Sequence, residues 1–343
     1  MFLETQLEQQ LDNRLQMRPA TMADLQQVVA LINACGMAQM GAPQADEADV
    51  RVDWELPHFD TATSTRVVET DTGEIIGYIE VWDTDSLPVS NWVWGRVHPD
   101  YEGQGIGTAL MEWAEARLQT TLARVPADLE VSYKSSTLNT YAPARHLFES
   151  MGMELVRRFY RMVIELEGEP PEAVWPEGMR LTTFAEHGNL EAVIGAFDEA
   201  FKDHWGHVDQ PLDEQVEKWR HWLEGSEDFD PTLWFVALDG EEIAGVSLCW
   251  PKMPEDEEMG WVNILGVRRP WRKQGLGLAL LHHTFGEFYR RSKARVGLGV
   301  DAGSLTGATR LYEKAGMHVA REFVSFEKVV RPGRKIAKEE LDD

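Results

Sequence analysis

Basic residues and glycines come together at one point of the chain where a buried-strand pattern changes into a helical one. The apolar run that ends at Val267 is followed by basic residues and glycines, and helical spacing then continues from Leu278. The first turn of a helix leaves amide N–H groups without intrahelical partners and carries partial positive charge. Glycine has no Cβ, so an anion can approach its backbone closely. The stretch therefore predicts a phosphate or pyrophosphate cradle, formed by Arg272, Lys273, Gln274, Gly275, Leu276, Gly277 and Leu278.

The spacing of these residues excludes two common phosphate motifs. No Gly-Lys-Ser/Thr follows, as a P-loop requires, and Leu280 stands where a dinucleotide-binding G-x-G-x-x-G needs its third glycine. The pattern instead resembles the acetyl-CoA loop of the GNAT N-acetyltransferase superfamily, Gln/Arg-x-x-Gly-x-Gly/Ala. Arg272, Gly275 and Gly277 match it residue for residue. The resemblance implies that acetyl-CoA binds at this loop.

The same pattern occurs a second time, earlier in the chain. The strand-like run Trp92–Val97 precedes another glycine-bearing loop and another helical segment. Further features pair in the same order at a nearly constant separation: Met17-Arg18 with Met179-Arg180, Gly73 with Gly240, and Gly152 with Gly316. A repeat this long indicates duplicated domains. The residues of the first copy predicted to bind the cofactor are Val97, Gly103, Gln104, Gly105, Gly107 and Thr108.

The order of segments in each copy predicts an α+β domain. Hairpin signals at Asp71-Thr72-Gly73 and Asp239-Gly240 precede the glycine loops, so each copy begins with antiparallel strands. This order also matches that of GNAT domains. We expect two tandem GNAT (acyl-CoA N-acyltransferase) folds, each a mixed, mostly antiparallel sheet flanked by helices. The predicted boundaries are an N-terminal arm at 1–16, domain 1 at 17–166, a linker at 167–178, domain 2 at 179–331 and a charged tail at 332–343.

Two further expectations concern local structure. The acidic segment Gly36–Pro57 has the composition of a loose loop, which we place on the substrate side. Each copy is also expected to end in two short strands, the first pair within Glu154–Glu165 and the second ending at Val330.

The composition limits the classes of function. The 343 residues carry a net charge of −25, with 33 Lys and Arg against 58 Asp and Glu. Such a surface disfavours nucleic acids and anionic membranes and attracts cationic amines, although solubility alone explains many acidic chains. The chain has no apolar run long enough for a membrane span, its N-terminus is unlike a signal peptide, and Cys35 and Cys249 fall in different copies. We expect a cytoplasmic monomer or homodimer without a metal site.

Beyond its glycine loop, the second copy carries a further signature. Ala308–Met317 resembles the GNAT pattern Ala-x-x-Leu-Tyr-x-x-x-Gly-Phe/Met. The resemblance implies that Tyr312 protonates the departing CoA thiolate, whereas helical periodicity alone would make it a core aromatic residue. Ser304 or Leu305 falls where the family often has asparagine, which weakens one implied contact with CoA.

The resemblance also gives a role to the fourth strand of the second copy. In the family this strand splays from the fifth, and its free backbone groups pair with the pantetheine arm; here those groups belong to Leu265, Gly266 and Val267. A backbone N–H group at this point can polarise the thioester carbonyl. Direct attack by an amine then requires a base. The candidates are Asn263, which can only orient a water, and Glu258, Asp301, Asp203 and His204.

The first copy departs from the family pattern. Glu102 stands where arginine or glutamine is expected and places a carboxylate near the phosphates, and Phe148 replaces the tyrosine, with Tyr141 nearby. Binding of CoA without turnover stays open for this copy. The leading hypothesis is transfer of an acetyl group from acetyl-CoA to a primary amine of a small molecule, by direct attack in a ternary complex in the second domain. The alternatives are a noncatalytic tandem module that binds or senses acyl-CoA, and a transferase for a longer acyl group.

Overall fold

The computed structural model describes residues 11–12, 14–304 and 307–339. Most of the predicted N-terminal arm, as well as Leu305, therefore lies outside the described residues. The chain divides into two compact units. Of the described residues, unit 1 comprises those up to 156 together with 324–336, and unit 2 comprises those between 157 and 323 together with 337–339. The linear domain boundaries given above stay a prediction, because the compact units divide the chain in a different way.

Unit 1 is a sheet flanked by helices. Its strands are β1 (Leu15–Arg18), β2 (Thr65–Thr70), β3 (Ile75–Trp82), β4 (Ser90–Val97), β5 (Val131–Leu138) and the last part of a strand that we label β12 (His318–Arg331). Its helices are α1 (Leu25–Met40), α2 (Glu47–Trp54), α3 (Thr61–Ser64), α4 (Ile106–Thr121) and α5 (Ala142–Ser150). The strand order is β1-β2-β3-β4-β5-β12. The first three neighbouring pairs are antiparallel, and β4 runs parallel to β5.

Local sequence accounts for most of these elements, but the expectation of a loose loop over Gly36–Pro57 is wrong. Helix α1 continues to Met40, and α2 follows it. The carboxylate of Asp46 caps α2 by accepting a hydrogen bond from the Asp49 N–H at 2.8 Å. At the other end of α2, buried Trp54 donates from Nε1 to the Tyr78 hydroxyl at 2.9 Å. This tertiary contact stabilises a helix whose acidic composition favours a loop.

The C-terminal region of the chain completes the sheet of unit 1. Glu327 of β12 is buried and accepts a hydrogen bond from the Ser132 hydroxyl at 2.7 Å. Phe326 packs against Phe148, with ring centroids 5.4 Å apart. The two short final strands expected before Val330 are therefore one continuous strand of 14 residues. The second half of β12 belongs to unit 1. Unit 1 therefore depends on residues that lie more than 150 positions after the rest of its sequence.

Unit 2 has the same plan. Its strands are the greater part of β6 (Glu154–Glu165), then β7 (Met179–Thr183), β8 (Trp234–Asp239), β9 (Glu242–Trp250), β10 (Met259–Val267) and β11 (Arg295–Asp301). Its helices are α6 (Phe184–His187), α7 (Leu190–Phe201), α8 (Leu212–Gly225), α9 (Leu276–Arg290) and α10 (Ala308–Lys314). The order is β6-β11-β10-β9-β8-β7, with β10 and β11 parallel and the other pairs antiparallel.

The two units confirm the predicted fold class, a mixed and mostly antiparallel sheet flanked by helices in each copy. Here too one detail differs: Glu154–Glu165 is a single strand of 12 residues, not two short ones. Residues Phe159–Glu165 pair with the whole of β11. Among the described residues, no helix combines the length and the apolar character needed to cross a membrane.

Candidate functional site

The candidate site of unit 2 begins where two parallel strands separate. β10 pairs with β11 only from Met259 to Val262. On its other edge, β10 continues to pair with β9 as far as Val267, with a register shift around Asn263. Residues on the separated part of a strand alternate in the direction of their N–H and C=O groups, so half of them face away from β9. The segment that contains Leu265, Gly266 and Val267 can therefore pair with an extended ligand.

The loop that follows β10 is held in place by a buried carboxylate. Asp203, at the end of α7, accepts hydrogen bonds from the guanidinium groups of Arg269 and Arg272, and its side chain is only 1% exposed. Arg272 also donates to the carbonyl oxygens of Val267 at 3.0 Å and Ala200 at 2.9 Å. These contacts join the end of β10, the loop and α7. Arg272 thus positions the cradle, and Asp203 neutralises part of the positive charge predicted for it.

The glycines of the loop fit a close approach to its backbone. Gly275 has a φ of +92°, in the left-handed region that favours glycine, and Lys273 before it has a φ of +61°. A Cβ on Gly277 would lie 3.1 Å from Cδ2 of Leu311, so a larger residue here would require the Leu311 side chain to shift. Helix α9 starts at Leu276, and its first amide groups are available to an anion. The exposed Gln274 side chain donates to the Pro270 carbonyl at 2.9 Å, and half-buried Leu278 packs on the core.

Tyr312 lies on α10, one residue after the leucine that contacts Gly277. Its side chain is buried in the core cluster of unit 2, and burial raises its pKa to about 12. The phenol therefore stays protonated at neutral pH. Ser304 precedes this helix; its N–H donates to the Asp301 carbonyl at 3.0 Å, and its hydroxyl accepts from the Ala308 N–H at 3.4 Å. Leu311, the residue before Tyr312, thus packs against the first turn of α9 at the end of the CoA loop, and this placement suits both interpretations of Tyr312.

The candidate bases differ sharply in their surroundings. His204 is half-buried, and its ring packs against Phe201 with centroids 4.0 Å apart. The ring of Phe201 in turn lies 3.4 Å from where a Cβ on Gly266 would stand, so the Phe201 ring lies between His204 and the separated part of β10. Burial lowers the pKa of His204, with a further contribution from Arg272, and its imidazole is neutral at pH 7. A neutral imidazole can accept a proton.

The other candidates are less suited to accept a proton. The two arginines hold the pKa of Asp203 well below its usual range. Asp301 pairs with Arg157 at 3.1 Å. Exposed Glu258 precedes β10 at the end where it pairs with β11, away from the separated segment. Asn263 is exposed at the register shift, where it could orient a water.

Unit 1 contains the corresponding architecture and a well-formed cavity. β4 pairs with β5 only from Ser90 to Trp92, after which these strands also separate. A cavity of about 630 Å³ lies at the separation. Of the residues predicted to bind the cofactor in this copy, those that line the cavity are Val97, Gly103, Gly105, Gly107 and Thr108. Gln104 is exposed and does not line it. The pairing of β3 with β4 has no register shift over the residues described, in contrast to β9 and β10.

The chemistry of the unit 1 cavity differs from that of unit 2. Glu102, at the sequence position of Arg272, accepts a hydrogen bond from the Tyr141 hydroxyl, and both side chains line the cavity. Burial and the neighbouring carboxylate raise the pKa of Tyr141 well above its usual range. Phe148, at the position of Tyr312, also lines the cavity. Arg96 is a lining residue that the sequence analysis missed, because its only sequence signal is a basic residue within an apolar strand.

Comparisons with known proteins agree with the two-unit architecture. Residues 62–154 match a family model described as "Acetyltransferase (GNAT) domain", and residues 190–317 match one described as "Acetyltransferase (GNAT) family". The mycothiol acetyltransferase of Streptomyces scabiei (strain 87.22) is 30% identical over 260 residues, which are 74% of this chain and 74% of that protein. The mycothiol acetyltransferase of Streptomyces coelicolor is 30% identical over 257 residues, 72% of this chain and 74% of that protein.

Two solved structures extend the likeness to nearly the whole chain. The crystal structure of a GCN5-related N-acetyltransferase from Sphaerobacter thermophilus has a TM-score of 0.77 and 35% identity, and the match covers 96% of this chain and 100% of that one. A tandem GNAT protein from the clavulanic acid biosynthesis pathway has a TM-score of 0.67 and 14% identity, covering 93% of this chain and 100% of that one. The second likeness supports the fold alone.

Proposed function

This chain belongs to the GNAT family of N-acetyltransferases, and we propose that unit 2 transfers an acetyl group from acetyl-CoA to a primary amine of a small molecule. The observation that carries the proposal is that the separated part of β10 leads into the loop at Gly275, and that the helix of Tyr312 packs against the first turn after this loop through Leu311. Unit 1 departs from this path at two points, since Glu102 replaces Arg272 and Phe148 replaces Tyr312.

The residues of unit 2 fit the parts of acetyl-CoA. The amide groups of the loop and of the first turn of α9 would hold the pyrophosphate, and the free edge of β10 would pair with the amides of the pantetheine arm. When bound, the co-substrate supplies an electrophilic thioester carbonyl. A backbone N–H group of β10 that faces away from β9 would stabilise negative charge on the carbonyl oxygen. Gly266 packs tightly on α7, since a Cβ there would lie 3.1 Å from that of Ala200, and this contact holds the strand in place.

Proton transfer in the proposed reaction uses two groups. The ammonium form of the amine first releases one proton to solvent, because only the neutral amine is a nucleophile. Its nitrogen then forms the new bond to the acetyl carbon and loses a second proton, which neutral His204 accepts directly or through a water oriented by Asn263. The carbon–sulfur bond breaks, and the sulfur takes a proton from the hydroxyl of Tyr312. The proton held by His204 then returns through solvent to the Tyr312 phenolate, so both groups regain their starting state. Because burial keeps this hydroxyl protonated, it is available as a donor throughout the neutral pH range.

The acceptor is proposed only as a class. The curated relatives named mycothiol acetyltransferase support a small-molecule acceptor. The net charge of −25 favours the approach of a cationic amine.

The test combines binding and turnover. Acetyl-CoA is titrated calorimetrically into the wild type, into Gly275→Glu and into the matched unit 1 variant Gly105→Glu, and thiol release is then measured with a panel of primary amines. We expect Gly275→Glu to abolish turnover and Gly105→Glu to retain it. Tyr312→Phe should lower kcat by about 100-fold while acetyl-CoA still binds, and Phe148→Tyr should leave kcat unchanged. Binding without thiol release from any amine would contradict catalysis and favour a noncatalytic acyl-CoA-binding module.

A further inference from the structure

The turn that carries His204 is attached to unit 2 on both sides of this residue. On one side, Asp203 is held by the two arginines of the CoA loop. On the other side, the Gly206 N–H donates to the Lys338 carbonyl at 2.7 Å, and the Lys338 N–H donates to the His207 carbonyl at 2.9 Å. Lys338 lies in the C-terminal part of the chain that belongs to unit 2. His204 therefore lies between a charged anchor and a backbone anchor.

Contacts within and beside the turn set its shape. The His207 N–H donates to the His204 carbonyl at 3.2 Å, and Gly206 has a φ of +79°, in the left-handed region that favours glycine. The guanidinium carbon of Arg157 lies 5.0 Å from the centroid of the Trp205 ring. A surface turn opens locally at a low free-energy cost unless hydrogen bonds to distant residues hold it. The reciprocal backbone pair with the C-terminal segment supplies such bonds.

The surroundings of His204 depend on how this turn is held. Burial is the main cause that lowers the pKa of its imidazole. The charged and titratable groups that face the imidazole are Arg272 and His207, which lower the pKa, and Asp301 and Asp203, which raise it. A turn released from its backbone anchor would expose the imidazole to water, so its pKa would return toward the ordinary value.

We propose that the backbone of Lys338 positions His204 for the transferase reaction by holding the turn at Gly206 and His207. Lys338 is then a positioning residue, since it acts on the base through the turn. The inference rests on the proposed function only for the role of His204 as the base. The attachment of the turn is measured without turnover, so a failure of the inference and a failure of the proposed function can be told apart.

Two truncations isolate the C-terminal segment. A stop codon after Ile336 removes Lys338, whereas a stop codon after Glu339 keeps it and serves as the matched control. Both chains keep Arg334, whose backbone is hydrogen-bonded within unit 1, and thermal unfolding checks that both are folded. Hydrogen exchange over residues 203–210 should become at least about tenfold faster after the first truncation and stay unchanged after the second. Equal exchange in the two chains would overturn the proposal.

Two substitutions separate the backbone of Lys338 from its side chain. Lys338→Pro removes the N–H that donates to His207, and it should also speed exchange over residues 203–210. Lys338→Ala keeps both backbone groups and should retain the protection of the turn. Equally fast exchange in both variants would assign the anchor to the side chain and would contradict a backbone attachment.

Two readouts connect the anchor to the base. The His204 imidazole is titrated by nuclear magnetic resonance in protein with isotope-labelled histidine, and His204→Asn identifies its signal. Without Lys338 its pKa should rise toward about 6.5, because the imidazole becomes more exposed. The kcat/KM for the amine should fall by about tenfold, whereas the KM for acetyl-CoA should change by less than about twofold, since the arginines still hold Asp203.

Faster exchange with an unchanged His204 pKa would refute the positioning role. An unchanged kcat/KM for the amine in a chain whose turn has opened would refute it as well. A wild type without turnover would contradict the transferase reaction, and the exchange and the titration would still decide whether Lys338 holds the turn.

Discussion

Asp203 offers a direct test of how the CoA loop of unit 2 is held in place. The substitution Asp203→Asn keeps the shape of the side chain but removes the charge that faces Arg269 and Arg272. Removing one partner of a buried ion pair destabilises a protein by about 3–5 kcal/mol. Because the Arg269 side chain is 54% exposed and that of Arg272 is 24% exposed, water screens part of the loss. We therefore expect a decrease of about 2–3 kcal/mol in the free energy of unfolding.

The measurement is urea unfolding followed by tryptophan fluorescence, with Asp128→Asn as the matched control. Asp128 pairs with Arg334 at 3.0 Å, but both side chains are well exposed, so its removal should change stability by less than about 1 kcal/mol. With a slope of about 2 kcal/mol per molar urea, the midpoint for Asp203→Asn should fall by about 1–1.5 M. The KM for acetyl-CoA should also rise, since Arg272 loses one of the contacts that fix the loop. Equal midpoints for the two variants would refute this account of the loop.

The pH dependence provides an independent check on Asp203. Its pKa is lower in the folded state than in the unfolded state, because the arginines stabilise the carboxylate. The stabilisation is therefore complete above the unfolded pKa of about 4 and is lost as the pH falls toward the lower folded value. In Asp203→Asn this part of the acid destabilisation should be absent, and a wild-type-like stability profile below about pH 4 would contradict the assignment.

Three further predictions address other parts of the molecule. Because burial lowers the pKa of His204, the acidic limb of the pH profile of kcat/KM should lie below about pH 6.5. The substitution His204→Asn should remove this acidic limb, and an unchanged pH profile would exclude His204 as the base. Because burial raises the pKa of Tyr312 to about 12, kcat should not decline between about pH 8 and about pH 10, where an unperturbed phenol begins to ionise. A decline in this range that the substitution Tyr312→Phe abolishes would contradict the raised pKa. A stop codon after Phe323 removes the part of β12 that completes unit 1, so that unit should no longer unfold cooperatively. Circular dichroism and tryptophan fluorescence measure this loss, and a stop codon after Glu339 should leave the cooperative unfolding intact.

Several features of the fold and the candidate site follow from local sequence. The glycine at 275 has a positive φ at the point where the apolar strand pattern gives way to a helix, and such a turn needs few distant contacts. The hairpin at Asp239-Gly240 is similar, because the turn residues themselves set the pairing of Asp239 with Glu242 beside the turn. The duplication and the fold class could be predicted because each copy repeats these local signals in the same order.

Other features needed the tertiary structure, because they depend on residues that are far apart in sequence. Asp203 qualifies as a base by residue type. However, it contacts Arg269 and Arg272, which are 66 and 69 positions away in the sequence, and these arginines hold it ionised. The acidic helix α2 forms because Trp54 reaches a buried tyrosine on another element. The position of Glu102 in the loop of the first copy could be predicted from the sequence, but the hydrogen bond that it accepts from Tyr141 could not.

The sequence by itself determined that this protein carries two copies of an acetyltransferase fold and that the second copy matches more of the family's residue pattern. Residue type and short-range spacing are sufficient for such conclusions, since glycine loops, caps and hairpins act over a few residues. Only the tertiary structure decided which charges meet and which residues complete each unit. Those outcomes depend on burial, which changes the pKa and the hydrogen-bond partners of a side chain without leaving a local signal in the sequence.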